Sequence, residues 1–233
     1  MFLIFIIIMK KYILLLILLI LINKMQSQNF EGTILYKVSY TDTLVTEGSI
    51  FKRINGRSFL NLMFKDFYSL NEAKRDDNES TYYLFDFKNN TSFMQGLKIR
   101  GVKEQPIDDC DIDNFEIIPT TELAYIYQKK CFKYILKNKS TEDVYQIWTL
   151  EEKDINLPSN IIFNFFRRIE PSCFIEKIGF PMRMIVKQSE NEHINTYITL
   201  ELIAIKNEKL DTNFFKKYKH LQKPFLDIVP KKD

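Results

Sequence analysis

Large apolar side chains recur at every second position in several short stretches of the chain, and this period constrains the fold more than any other feature. Ile34, Tyr36, Val38 and Tyr40 would all project from one face of an extended backbone. A two-residue period is typical of a strand with one buried face. The pattern predicts a first strand here, and comparable stretches predict further strands at residues 48–54, 57–64, 82–87, 91–97, 132–136, 144–150, 182–188 and 195–205.

Turn-forming residues separate neighbouring stretches of this kind. Asn55 and Gly56 form a pair that accepts the positive φ angles of a type I′ turn, so they predict a hairpin between residues 48–54 and 57–64. Polar connections at residues 88–90 and 137–142 predict two more hairpins. A meander of antiparallel strands follows, with loops predicted at the polar residues 71–80 and 103–113.

Two stretches have helical periodicity instead. After Ser159, which can cap a helix, apolar side chains recur at three- and four-residue spacing through residues 160–170, and Pro171 is the predicted stop. Asp211 can cap a second helix over residues 212–218. The sequence therefore predicts an α+β fold that is mainly β, a single curved antiparallel sheet with one or two covering helices.

The N-terminal region is ordered like a secretory signal peptide. Lys10 and Lys11 precede an unbroken apolar run at residues 12–22, and a polar segment ending at Ser27 follows. The run is shorter than the ~20 residues that a transmembrane helix needs. We therefore predict a signal peptide within residues 1–27, whose translation starts at Met9 rather than Met1. Residues 28–233 are predicted to form a single β-rich domain that is exported to the periplasm or secreted. A leader retained as an anchor is the alternative.

Charge and composition exclude some classes of protein. With 45% hydrophobic and 27% charged residues, the chain has the composition of a folded domain. The formal net charge is +3, but three lysines lie in the predicted signal peptide, which leaves 30 basic against 30 acidic side chains. Without a basic excess the domain lacks the field that draws proteins to phosphate backbones, so we expect no nucleic-acid partner.

Motifs that carry chemistry are missing from the sequence. Asp109, Asp111 and Asp113 alternate like the start of a calcium loop, but Asn114 and Thr120 stand where that loop needs glycine and glutamate. The chain also lacks a phosphate-binding glycine loop, a Gly-x-Ser-x-Gly elbow, a His-Glu-x-x-His helix and a Cys-x-x-Cys pair. We therefore predict that the protein is not an enzyme and needs no cofactor or metal.

Three cysteines, Cys110, Cys131 and Cys173, fall within the predicted domain. An oxidising compartment would allow one disulfide and one free thiol, and buried thiols fit equally well. Because spacing along the chain does not establish the geometry of a disulfide, both states stay open.

Short motifs spread over most of the domain resemble the exported bacterial proteins grouped as the GLPGLI family and its relatives, which are similar in turn to LolA-like lipoprotein carriers. The motifs are FEGTILY at residues 30–36, KCFKY at 130–134, YQIWT at 145–149, GFP at 179–181, a threonine-containing strand through Thr196 and Thr199, and LD at 210–211 before Phe214. The resemblance implies a half-barrel with helices over its concave face and an envelope location. It implies no catalytic residues.

Two functions fit these observations. In the first, the predicted helix turns Phe163 or Phe166 towards a sheet face that includes Trp148, and the space between them binds a lipid or another apolar ligand. A filled core made by the same residues is the plainer interpretation, because protein interiors are normally packed without voids. In the second, the domain is a structural or protein-interaction module with an envelope protein as partner.

Overall fold

The computed structural model describes residues 30–42, 57–75, 80–95, 103–107, 112–140, 144–150, 172–191 and 194–220. In this described part, eleven strands form one curved, open antiparallel sheet, and two short helices pack against it. The predicted fold class is therefore confirmed. The strands are β1 Gly32–Asp42, β2 Arg57–Lys65, β3 Tyr68–Arg75, β4 Ser80–Asp86, β5 Thr91–Gln95, β6 Lys103–Pro106, β7 Phe115–Ile126, β8 Lys129–Asn138, β9 Val144–Leu150, β10 Pro181–Asn191 and β11 Ile194–Asn207, and the helices are α1 Ser172–Ile178 and α2 Thr212–His220.

The order of strands across the sheet is β6-β5-β4-β3-β2-β1-β11-β10-β9-β8-β7. Two meanders thus meet where the first strand pairs with the last, and the chain between β6 and β7 runs from one edge of the sheet to the other. Even fully extended, that connection spans only about 32 Å. A flat sheet of eleven strands would be about 48 Å wide, so the short connection requires the sheet to curve.

The period-two stretches predicted most of these strands correctly. β1 buries Ile34, Tyr36 and Val38, which are the side chains that the alternation assigns to one face. The hairpins predicted around residues 88–90 and 137–142 are the pairs β4–β5 and β8–β9. The predicted strands at 182–188 and 195–205 lie within β10 and β11, and the helix predicted at 212–218 lies within α2.

The predicted hairpin around Asn55 and Gly56 is wrong from Phe59 onwards, because those residues do not pair with residues 48–54. There β2 pairs with β1 on one side and with β3 on the other, so no edge remains for a strand from residues 48–54. Residues 48–56 themselves lie outside the described residues. The tight turn after β2 is instead at residues 66–67, where Asp66 has a φ of 53° and Lys65 pairs with Tyr68.

Both predicted loops contain a strand. Residues 71–75 belong to β3 and residues 103–106 to β6. The polar sequence of β3 is misleading because Ser69 and Asn71 are buried, and the Ser69 hydroxyl donates a hydrogen bond to Asn71 Oδ1 at 3.1 Å. Pro171, the predicted stop of the helix at residues 160–170, lies outside the described residues, and α1 begins at Ser172. The predicted helix at residues 160–170 lies outside the described residues.

One face of the sheet, here called the core face, carries the main hydrophobic core. Side chains that lie opposite each other in the strand register share this face, and α1 adds three apolar side chains to it. The Tyr36 hydroxyl donates a hydrogen bond to the Pro181 carbonyl at 2.7 Å, and burial raises the pKa of Tyr36. The centre of this core comprises Ile34, Tyr36, Leu60, Leu62, Ile147, Met182, Met184, Leu200, Phe174, Ile175 and Ile178.

A second, smaller core lies on the opposite face of β2–β5. It consists of Met63, Leu70, Leu84 and Phe93, and Phe215 of α2 packs against them. Both faces of the sheet are therefore covered, but at different places and by different helices. Neither helix in the described part of the chain is long and apolar enough to cross a bilayer.

Candidate functional site

Trp148, the predicted ligand-binding residue on β9, belongs to the main hydrophobic cluster and lies between two cations. It is directly opposite Lys133 of β8 and Arg183 of β10 in the strand register. The Lys133 Nζ lies 5.1 Å from the centroid of the Trp148 ring, and the Arg183 Cζ lies 5.5 Å from it. Both distances are those of cation–π contacts, so two charged side chains flank an indole that is only 7% exposed and also packs in the main hydrophobic cluster.

Each of these cations also has a carboxylate partner on its outer side. Lys133 lies 2.8 Å from Glu122 of β7, and Arg183 lies 2.7 Å from Glu201 of β11. Glu122, Lys133, Trp148, Arg183 and Glu201 therefore form a row across five neighbouring strands. The two carboxylates neutralise the two cations, and these cross-strand pairs stabilise the sheet.

The other two predicted ligand-binding residues, Phe163 and Phe166, lie outside the described residues. Their approach to Trp148 stays a prediction. Cys131 is a free, buried thiol whose pKa is raised by that burial, and its Sγ contacts the Lys129 carbonyl oxygen at 3.4 Å. Among the described residues, no group of three or more histidine, cysteine or acidic side chains could hold a metal ion.

A surface that the sequence did not single out lies at the end of β7, which is an edge strand of the described sheet. Leu123, Tyr125 and Tyr127 occupy alternate positions and are 51%, 77% and 48% exposed. These three residues are called the edge patch below. Large side chains of this kind are usually at least half buried in a folded domain, and tyrosine is enriched in binding surfaces.

The turn that follows β7 holds the third residue of the edge patch in an uncommon conformation. Tyr127 and Gln128 have φ angles of 50° and 60°, and Ile126 pairs with Lys129. Asparagine and glycine are the usual residues at such turn positions, whereas an aromatic residue there is strained. Tyr127 thus lies where the backbone disfavours an aromatic residue, and strained residues of this kind cluster at functional sites.

A bulge separates the edge patch from the first half of β7. The Thr120 hydroxyl donates to the Lys133 carbonyl at 3.0 Å and accepts the Glu122 N–H at 3.2 Å. The strand register shifts between Pro119 and Leu123 as a result. Residues 123–126 thus form a short regular strand of their own, paired with β8 on one side.

The two edges of the described sheet differ in how they are protected. β6 has four residues, among them exposed Glu104 and Pro106, and short, charged or proline-containing edges resist further strand pairing. The first half of β7 is protected in the same way by Glu116 and Pro119. Residues 123–126 have no such device, and apolar side chains project there instead.

The sequence held one signal for the edge patch. Residues 122–127 read ELAYIY, an apolar and aromatic run of the length of a strand, and two lysines follow at 129–130. This run alone does not indicate which side chains stay exposed, because their exposure depends on the position of β7 as the last of the described strands.

Comparisons with known proteins found no match by sequence and a weak similarity by structure. No family model matches the chain, and no curated protein matches it. Structures of PNGF-II in two crystal forms, C2 and P21, are similar at 15% and 12% sequence identity, with TM-scores of 0.45 and 0.42. They cover 82% of this chain but 32% and 33% of their own chains, so this chain spans about a third of the length of the structures that it matches.

Proposed function

We propose that this chain is an exported protein-interaction module and that its binding surface is the edge patch on β7. The observation that carries the proposal is the exposure of Leu123 and Tyr125 on β7 and of Tyr127 in the turn that follows it. Covering exposed apolar surface with a partner stabilises the complex by about 25 cal/mol for each Å² that is removed from water.

The apolar-ligand hypothesis has less support. Lys133 and Arg183 cover the Trp148 ring and bring their charges close to it. An acyl chain in that position would lie against charged groups that need water or a counter-ion. The core face is filled with side chains that are almost fully buried, as in the plainer interpretation of a packed core. Ligand binding by Phe163 and Phe166 stays a prediction.

Photo-cross-linking in the cells that produce the protein tests the proposal. A benzophenone amino acid replaces Tyr125 in one variant and Phe59 in a matched control, because Phe59 is another exposed aromatic residue, 38% exposed, on β2. We expect the Tyr125 variant to form a discrete adduct with one other polypeptide, identified by mass spectrometry, and the Phe59 variant not to form it. Adding Leu123→Lys to the Tyr125 variant should abolish the adduct.

Three outcomes would overturn the proposal. One is the absence of any polypeptide adduct at Tyr125, and the second is an equal yield of the same adduct from Phe59. The third is an adduct whose added mass is that of a lipid, which would favour the apolar-ligand hypothesis instead.

A further inference from the structure

We propose that α2 is a hinged cover that opens from the sheet while the strands stay paired, and that Glu31 is the latch that holds this cover closed. Opening exposes a row of apolar side chains on β2–β5. The cover lies away from the edge patch, so the inference is independent of the proposed function.

Four buried apolar side chains form a straight row beneath α2, here called the apolar row. Met63 of β2 is opposite Leu70 of β3 in the strand register, and Leu70 is opposite Leu84 of β4. Phe93 of β5 is opposite Leu84 in turn. Opposite residues share a face, so the four side chains project together from neighbouring strands. Phe215 of α2 packs in the same cluster, and α2 thus covers a continuous apolar surface.

Few side chains of α2 attach it to the apolar row. Among residues 212–216, whose exposure the structure describes, only Phe215 is buried, and its ring stacks on Tyr68. α1, by contrast, buries three apolar side chains in the main core, those of Phe174, Ile175 and Ile178. Local opening requires less free energy where fewer buried apolar contacts break, so α2 is the helix better suited to open by itself.

Glu31, the residue before β1, links the sheet to the start of α2. Its Oε1 atom accepts a hydrogen bond from Lys65 Nζ of β2 at 2.6 Å and another from the Leu210 backbone N–H at 2.8 Å. Leu210 lies two residues before α2 and packs against the second core. Both bonds lower the pKa of Glu31, because they stabilise its charged form. Hydrogen bonds to a charged group are stronger than those between neutral groups, so this carboxylate is suited to hold the cover closed.

The connection between β11 and α2 contains the hinge. The Glu208 N–H donates a hydrogen bond to the Glu31 carbonyl at 3.3 Å, and the Thr33 hydroxyl donates one to Glu208 Oε1 at 2.7 Å. These two bonds fix Glu208 to the start of β1, so the hinge lies after it, at residues 209–211. Two of these three residues are exposed. Short connections of this kind absorb the changes in φ and ψ that move one element against another.

Hydrogen exchange of the natural protein in low concentrations of urea, followed by mass spectrometry, tests the cover. Global unfolding exposes much new surface, so exchange through it becomes steeply faster with urea. Opening of α2 exposes little surface, so exchange through it depends only weakly on urea. We therefore expect a weak urea dependence for the amides of α2 and a steep one for those of β11. The same urea dependence and the same exchange free energy in both elements would overturn the proposal.

The variant Glu31→Gln tests the latch, because glutamine keeps the size of the side chain and removes its charge. We expect exchange in α2 to become about tenfold faster and exchange in β11 to change by less than about twofold. Glu208→Gln is the matched control, since it removes a neighbouring carboxylate that bonds to Thr33 and not to Leu210. It should change exchange in α2 by less than about twofold.

Three results would contradict the latch. One is unchanged exchange of α2 in Glu31→Gln, and the second is an equal acceleration of α2 and β11, which would mean a general loss of stability. The third is the same acceleration of α2 in Glu208→Gln, which would assign the effect to net charge.

Discussion

Replacing Phe215 by alanine should separate α2 from the sheet, and the expected cost follows from how this side chain is packed. Phe215 is fully buried, and its ring stacks on Tyr68 with centroids 6.1 Å apart. It also contacts the second core on β2–β5. Truncating a buried phenylalanine costs about 3–5 kcal/mol, since the transfer free energy and the packing around the cavity are both lost.

The preceding residue provides a matched control. Phe214 is 38% exposed, and its ring is perpendicular to that of Phe215 in a T-shaped contact, with centroids 5.8 Å apart. Because more than a third of Phe214 stays in water and it is not part of the second core, we expect Phe214→Ala to cost less, about 1 kcal/mol. Comparing the two variants separates the loss of buried packing from a general effect on a short helix.

Two measurements together decide the outcome. Urea unfolding followed by fluorescence of the single tryptophan reports on the main sheet, and hydrogen exchange of β5 reports on the second core. If α2 separates as a unit, hydrogen exchange near Phe93 becomes much faster. The free energy of unfolding measured by tryptophan fluorescence then falls by less than about 3 kcal/mol. The reasoning is refuted if Phe215→Ala and Phe214→Ala shift both measurements equally.

Three further predictions follow from single residues. The hydrogen bond that Lys65 donates to Glu31 is the main cause that lowers the pKa of Glu31. The free energy of unfolding should therefore fall as the pH drops from about 4.5 towards that lowered pKa. Acid unfolding of Glu31→Gln should lack this decrease. Gly32→Ala should lower the free energy of unfolding, measured in urea, by several kcal/mol, because an added Cβ would lie 2.0 Å from the Lys206 carbonyl oxygen. Cys131 should react with a maleimide at least ~100-fold more slowly in the native than in the unfolded protein, as peptide mapping would measure, because its thiol is buried and its pKa raised.

The sequence predicted the strands whose polar and apolar faces differ. β1 is recognisable because Ile34, Tyr36 and Val38 are buried and Lys37 and Ser39 are exposed. Local alternation of this kind needs no knowledge of neighbouring strands.

Strands that depend on their neighbours were not predictable in this way. β3 contains Asn71, the first residue of the predicted loop at 71–80, and this polar side chain is buried because two flanking strands supply the backbone hydrogen bonds of β3. Sheet order was also out of reach, since the pairing of β1 with β11 joins residues that are far apart in sequence.

The candidate site was predictable only in part. Trp148 was correctly placed on a strand, but the cations beside it come from β8 and β10, and their pairing with β9 fixes that environment. The edge patch depends on β7 being last in the sheet order, which no local pattern reveals. Export, the absence of catalysis and the GLPGLI-like resemblance stay predictions.

The connection from β6 to β7 separates two meanders that meet only where β1 pairs with β11, and this pairing affects the order of folding. Every ladder between described strands joins consecutive strands except β1–β11, whose pairing must close a loop of about 160 residues. Local hairpins have a small entropic barrier, whereas this closure raises the contact order and should limit the folding rate. A circular permutant opened within residues 107–114, with its original ends joined by a flexible linker, would turn the sheet into one uninterrupted meander. Such a permutant should refold faster than the natural chain while reaching the same pairing of strands.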